Sequence, residues 1–161
     1  MEKLVQGARE LGLELSPQQP ARFQRYYELL VDWNRRLNLT AITGYRDVQL
    51  KHFLDSLTVT LGIVRREPDG GLKVIDIGSG AGLPGLPLKI AWPEINLTLL
   101  EATAKKTAFL SHLVAALGLE DVRVVSGRAE ELAHDPGFRE RFDVVLARAV
   151  APLPALAEIA L

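Results

Sequence analysis

Three acids, one arginine and a glycine-rich loop carry the chemistry this sequence can offer. Asp76 stands two residues before Gly78 in the run Lys73-Val74-Ile75-Asp76-Ile77-Gly78-Ser79-Gly80-Ala81-Gly82-Leu83-Pro84-Gly85. Glu101 ends Asn96-Leu97-Thr98-Leu99-Leu100-Glu101, Glu130 follows Val122-Arg123-Val124-Val125, and Arg148 follows Phe142-Asp143-Val144-Val145-Leu146. Each charged residue therefore lies at the carboxyl end of a short apolar β-type run. In open α/β sheets, ligands bind outside that edge. A second polar group, His52, Asp55 and Ser56, has spacings of three and four residues and shares one helix face. A hydrolytic triad is a poor reading of it, because a nucleophile needs an exposed turn and an oxyanion hole. The trio is expected either to pin its helix to the glycine loop or to touch substrate.

Val74 to Ile77 runs straight into the glycine loop, and a helical pattern follows, which is the strand–loop–helix of a nucleotide-binding unit. Glycines let such a loop turn tightly and let a ligand approach with no Cβ in the way. Gly80, Gly82 and Gly85 match the dinucleotide pattern literally. Asp76 and Gly78 argue against that reading, because a carboxylate aimed at the loop repels a pyrophosphate. It suits S-adenosylmethionine, which has a sulfonium, an ammonium and no phosphate. Asp-x-Gly-x-Gly-x-Gly resembles the loop of the class I methyltransferases.

A cofactor with a ribose needs an acceptor for its hydroxyls. Glu101 falls sixteen residues beyond Gly85, near the position expected for a ribose-binding acid. Ala104 to Leu117 has helical apolar spacing and stops at Gly118. Glu130, with Ala129 before it, stands where an adenine edge would be read, and equally where a first-turn acid favours a helix dipole. Arg148, between Ala147 and Ala149, is expected to face the pocket.

These elements must be positioned by a chain of 161 residues, enough for one domain with a small appendage. Apolar residues make up 48% of it, so it can bury a core. It has no cysteine, which excludes disulfides, thiolate metal sites and a cysteine nucleophile. His52, His112 and His134 lack metal-ligand spacing, so no metal is expected. No apolar run reaches the length of a membrane span, and Met1 to Leu15 does not read as a signal peptide. A cytoplasmic monomer is the expectation.

Net charge is −1, unevenly placed. Residues 1–66 hold ten Lys/Arg against seven Asp/Glu, and residues 67–161 hold nine against thirteen. A basic face can bind phosphates on a nearly neutral protein. In the N-terminal part, Ser16-Pro17 reads as a helix start, followed by a stripe of Phe23, Tyr26, Tyr27, Leu30, Val31 and Leu37. This stripe is expected in the core. A second helix is expected from about Asp47 to Leu61, and Arg65 to Gly71 reads as a linker. The expected organisation is a helical extension, 1–66, followed by a Rossmann-like sheet domain, 67–161.

Asp76 to Leu88, Trp33-Asn34 with Asn38-Leu39-Thr40, and His52-Phe53-Leu54-Asp55-Ser56 together resemble the bacterial 16S rRNA guanine-N7 methyltransferases, the small-subunit methyltransferase G or glucose-inhibited division protein B family. Lys105-Lys106 with Phe109-Leu110, Gly127-Arg128-Ala129-Glu130 and Ala147-Arg148-Ala149 fit its later motifs. The resemblance implies methyl transfer from S-adenosylmethionine to N7 of a guanine in 16S ribosomal RNA, free or in the small subunit. It implies cofactor contacts from Gly78, Leu83, Glu101, Ala129, Glu130 and Arg148, beside Asp76 and Gly80 of the same loop. Lys105 and Lys106 become candidates for RNA phosphate, and His52 for substrate contact. The family sheet has seven strands, whereas this chain reaches Leu161 after the fourth, so the later strands are expected to be missing from it. An uncovered sheet edge would make such a chain less stable or less soluble than a longer form.

Guanine N7 has an in-plane lone pair and no proton to lose, so its methylation needs no general base. Cytosine C5 methylation needs a cysteine, which is absent here, and Ala147-Arg148-Ala149-Val150 replaces the Asn/Asp-Pro-Pro-aromatic motif of many amine methylators. Arg148 is the expected catalytic residue, directed to guanine O6, to a phosphate or to the cofactor. The alternatives are a non-catalytic RNA-binding assembly factor with the same fold and a nicotinamide-dependent oxidoreductase.

Overall fold

The computed structural model describes residues 1–63 and 71–148. Of the linker expected from Arg65 to Gly71, residues 65–70 lie outside the described residues, as do residues 149–161.

The N-terminal part contributes α1 (Glu2–Glu10) and α2 (Gln19–Leu37). A composite helix follows: α3 (Tyr45–Val48), a π-helical turn (Gln49–Leu54), α4 (Asp55–Leu57) and a 3-10 turn (Thr58–Leu61). The sheet part runs β1 (Lys73–Ile77), α5 (Gly85–Ala91), β2 (Asn96–Glu101), α6 (Ala104–Ala116), β3 (Val122–Ser126), α7 (Ala129–Leu132) and β4 (Val144–Ala147).

All four strands are parallel, in the order β3-β2-β1-β4. The chain moves outward from β1 to β3 and then crosses to the other side of β1. The reversal opens a crevice between the carboxyl ends of β1 and β4, where ligands of doubly wound sheets bind. The expected α/β Rossmann-like architecture with N-terminal helices is present.

Strand side chains alternate between the two faces. Val74, Leu97, Leu99 and Leu146 point to one face and pack in one continuous cluster with Phe23, Tyr26, Leu30, Phe53, Leu86, Phe109 and Leu113. The N-terminal helices thus share the core of α5 and α6. Ile75, Ile77 and Leu100 point to the other face, where Leu132, Phe138, Phe142 and Val145 partly cover them. Asp76 alternates with Val74 and is therefore carried into the helix-covered layer, where it is fully buried.

Three local readings change. The first is α1, which the mixed charge of Met1 to Leu15 hides. Leu4 and Ala8 form its buried stripe, and Gly7 sits against the Leu54 side chain where a Cβ would collide. The second is the start of α2, which lies at Gln19 with Pro20 in the first turn, not at Ser16-Pro17. The Gln19 side chain sets that start by accepting from Ser16 N–H at 2.6 Å and donating to the Ile90 carbonyl at 2.7 Å. The third is the interruption of the 47–61 helix by a π turn, which buries Gln49, His52 and Phe53 together. Phe53 lies 5.1 Å from Phe23 and 5.0 Å from Tyr26 between ring centroids.

Helix ends follow local chemistry. Asn38, at φ 50°, ends α2 in the left-handed conformation. Beyond α6, Gly118 N–H reaches the Ala115 carbonyl and Leu119 N–H reaches Val114, a Schellman closure around a glycine at φ 58°.

Candidate cofactor and substrate site

The glycine loop hangs from the end of β2 as much as from β1. Gly78 and Ser79 N–H both donate to the Leu100 carbonyl, at 2.8 and 3.0 Å. Gly80 N–H donates to Glu101 Oε2 at 2.9 Å, and Thr103 N–H donates to Glu101 Oε1 at 2.8 Å. Glu101 is therefore fixed at the carboxyl edge, 6% exposed, with lone pairs left for hydroxyl donors. Gly82, at φ 89°, turns the loop where a Cβ would fall 2.5 Å from Leu86 Cδ1 and 2.7 Å from the Tyr26 hydroxyl.

Asp76 does not reach the mouth of the crevice. Its Oδ2 accepts from Gly85 N–H at 2.9 Å, at the start of α5, and the residue has no exposed surface. Gly85 is required by this closeness: a Cβ there would lie 2.7 Å from Asp76 Oδ2. Asp76, expected among the cofactor contacts, is thus found bonded to the start of α5 beneath the loop. Burial pushes its carboxyl up to about 7, against the opposing hydrogen bond from Gly85. Its Oδ1 has no hydrogen-bond partner.

Arg148 follows β4 on the same sheet face. Its Nη2 donates to His52 Nδ1 at 3.1 Å and lies 3.5 Å from the Lys51 carbonyl. Nη1 lies 3.3 Å from Asp55 Oδ2, within ion-pair reach, yet is buried with no hydrogen bond of its own. The polar trio of the sequence thus meets the end of β4. His52 and Asp55 pin Arg148, while Ser56 Oγ bonds back to the His52 carbonyl. His52, expected as a substrate contact, is 4% exposed, with its ring between Arg148 and Thr40.

The pin to the glycine loop comes instead from Tyr26, whose hydroxyl donates to the Ala81 carbonyl at 2.6 Å. Tyr26 lies in the core, as its place in the apolar stripe predicts, and its hydroxyl is the polar group that the stripe carries inward. A tyrosine inside an apolar stripe signals a partner, because a buried hydroxyl must find one.

Leu83 is buried in the loop and Gly78 and Gly80 are half-buried in it. Ala129 starts α7, half-buried, and Glu130 is exposed in the first turn of that helix. Lys105 and Lys106 occupy the first turn of α6, just beyond Glu101, with Lys105 exposed and Lys106 half-buried. Along the carboxyl edge the order is Ala129 and Glu130 after β3, Glu101 with Lys105 and Lys106 after β2, the glycine loop after β1 and Arg148 after β4. Neighbouring strands are about 5 Å apart, so this edge spans about 15 Å, the length of an extended nucleoside with a side arm. A carboxylate with free lone pairs at its centre and an arginine at one end, its Nη1 3.3 Å from Asp55 Oδ2, fit a ligand with a ribose diol and a polar arm.

Fold and loop together define the class: a Rossmann-like α/β domain with a glycine loop after its first strand. Solved structures with the same fold include MtNAS in complex with MTA and tNA, at a TM-score of 0.53 and 18% identity over 83% of this chain and 49% of that one. A mutant of MtNAS in complex with S-adenosylmethionine gives 0.51 and 17%, over 83% and 51%.

The chain belongs to the rRNA small subunit methyltransferase G family, whose GidB family model matches residues 19–161. A ribosomal RNA small subunit methyltransferase G from Caldanaerobacter subterraneus subsp. tengcongensis is 54% identical over 160 residues, covering 99% of this chain and 66% of that protein. The protein of that name from Dehalococcoides mccartyi is 50% identical over 161 residues, covering 100% and 67%. The chain thus spans about two thirds of the length of these curated relatives.

Proposed function

We propose that this protein transfers a methyl group from S-adenosylmethionine to N7 of a guanine in 16S ribosomal RNA, free or within the small ribosomal subunit. The observation that carries the reading is the meeting of Glu101, the Gly78–Gly85 loop and Arg148 at one switch-point crevice, in a chain of this family. When bound, S-adenosylmethionine supplies an electrophilic methyl on a sulfonium.

Glu101 is assigned to the ribose hydroxyls, Gly78, Gly80 and Leu83 to the loop contacts, and Ala129 with Glu130 to the adenine side. Arg148 is assigned to the cofactor or to guanine O6, leaving N7 free for attack. No side chain need act as a base. Alignment of N7 with the methyl carbon and sulfur is the main service, and positioning of this kind lowers barriers by about 7–11 kcal/mol. Lys105 and Lys106 are assigned to RNA phosphates. Asp76 keeps a loop-shaping role, and residues 1–66 brace the sheet unit of 67–161 as a helical extension. We place the protein in the cytoplasm as a monomer; no described helix is long and apolar enough to cross a membrane.

Calorimetric titration with S-adenosylmethionine, with NADH as the control, tests the cofactor assignment. Saturable binding of the first alone supports it. Binding of NADH alone would move the protein to the oxidoreductase reading, and binding of S-adenosylmethionine with RNA affinity but no methyl transfer would favour the assembly-factor reading. The comparisons support neither alternative.

A further inference from the structure

We propose that His52 is a positioning residue for Arg148: a neutral imidazole, with its proton on Nε2, accepts from the guanidinium and sets its direction at the carboxyl end of β4. The contact joins groups 96 residues apart, with Arg148 Nη2 3.1 Å from His52 Nδ1. A guanidinium only donates. Nδ1 must therefore be the lone-pair nitrogen, and the ring proton must sit on Nε2. Nε2 has a matching acceptor in Thr40 Oγ1, at 2.7 Å.

Thr40 is itself held. The Asn34 side chain of α2 accepts from Thr40 N–H at 2.8 Å and donates to the Thr40 carbonyl at 2.9 Å. Ile42 N–H donates to Thr40 Oγ1 at 3.0 Å. A chain Asn34–Thr40–His52–Arg148 thus runs from the N-terminal helices to the crevice, and the π turn carrying His52 gives it this reach. Such turns are frequent at functional sites.

The competing arrangement is visible in the same geometry. His52 Nδ1 is also 3.2 Å from the Lys51 carbonyl, a bond that would require a proton on Nδ1. The charged groups facing the ring are Arg148 from the end of β4 and Asp55 from α4, with the Lys51 carbonyl from its own turn. Burial and the Arg148 charge hold the imidazole below its ordinary value, opposed by the Lys51 carbonyl and Asp55. Acidification through that value adds a proton to Nδ1, removes the acceptor and sets imidazolium against guanidinium. The positioned state is therefore complete at neutral pH and is lost as pH falls.

Nitrogen-15 imidazole spectra of the whole protein test this without any cofactor. His52, His112 and His134 are its three histidines, and the His52 signal is identified by its loss in His52→Asn. The expected result is an Nε2–H tautomer at pH 7.5 and a titration midpoint that rises in Arg148→Ala. An Nδ1–H tautomer, or an unmoved midpoint, would overturn the proposal.

A second arm rests on the proposed function and reads S-adenosylmethionine affinity. Loss of a hydrogen bond to a charged group predicts that His52→Gln, which moves its acceptor away from the Nδ1 place, weakens binding by about tenfold or more. His52→Asn, with an oxygen near that place, should keep it within about threefold, since one acceptor of this bond is retained. In an Arg148→Ala background, His52→Gln should add nothing, and equal additive losses would mark a merely structural histidine. If the wild-type protein binds no S-adenosylmethionine, the proposed function fails while the tautomer and midpoint still decide the role of His52. Should His52→Gln not fold, the wild-type and Arg148→Ala spectra decide alone.

Discussion

The hydroxyl of Tyr26, in the second helix, donates to the carbonyl of Ala81, in the glycine loop, at 2.6 Å. The N-terminal helices therefore help to shape the cofactor loop. Burial and the nearby Asp76 push the Tyr26 phenol well above its ordinary value, so it stays a donor throughout the working range. Tyr26→Phe removes the donor and leaves a buried carbonyl with one partner fewer. The expected loss is about 1 kcal/mol of stability, with a lower Tm and severalfold weaker S-adenosylmethionine binding. A melt and a titration both unchanged would mean that the loop holds its shape without α2.

Asp76 makes stability fall as pH rises. Its folded value is about 7, against 3.8 for a free aspartate, so the native state binds more protons than the unfolded one between those limits. The contribution is fully present below about pH 4, declines as pH climbs to about 7 and is flat beyond. Asp76→Asn keeps an acceptor for Gly85 N–H and carries no charge. Urea melts from pH 4 to 8 should show a smaller decline in this variant than in wild type, with the variant favoured at pH 8. Parallel pH profiles would show that Asp76 ionises freely in the fold.

Gly82 and Gly85 answer to different constraints, and alanine at each should report which one matters. At Gly82 the backbone is at φ 89° and the new methyl would meet Leu86 and the Tyr26 hydroxyl. At Gly85 the clash is with Asp76 and Leu99. Each substitution should cost about 1–3 kcal/mol, the range for strained backbone and overpacking. The Gly85→Ala loss should shrink when Asp76 is also changed to a smaller residue, whereas the Gly82→Ala loss should not. Equal losses in both backgrounds would contradict the assignment of Gly85 to the Asp76 contact.

The sheet and its loop were legible because parallel strands buried on both faces read as apolar runs ending in glycine or charge. Glu101 and Arg148 could be placed for the same reason: one ends its strand and the other directly follows its own. The burial of Asp76 was not legible, because it depends on the path of the loop around Gly85, which spacing alone does not give. His52 shares a face with Asp55, as the spacing predicts, but its contact with Arg148 joins residues 96 apart, which local spacing does not give. The π turn has no local signature here, and α1 was hidden because its apolar stripe is only Leu4 and Ala8 among charged neighbours.

Lys105 and Lys106 lie beside the crevice without forming its floor, so their effect should be electrostatic. Changing both to alanine should weaken RNA binding roughly uniformly across sequences and reduce the salt slope by about one per lysine. Filter binding across a salt series measures it, with S-adenosylmethionine affinity followed in parallel. An unchanged salt slope would remove them from the RNA surface.

The most direct test is to incubate the protein with methyl-labelled S-adenosylmethionine and unmethylated 16S RNA or small subunits, digest the RNA and separate the nucleosides. The account predicts label in 7-methylguanosine and a loss of more than tenfold in Arg148→Ala, a size expected when a charged hydrogen bond at the reacting centre is removed. Label in any other nucleoside, or undiminished transfer by Arg148→Ala, would contradict it.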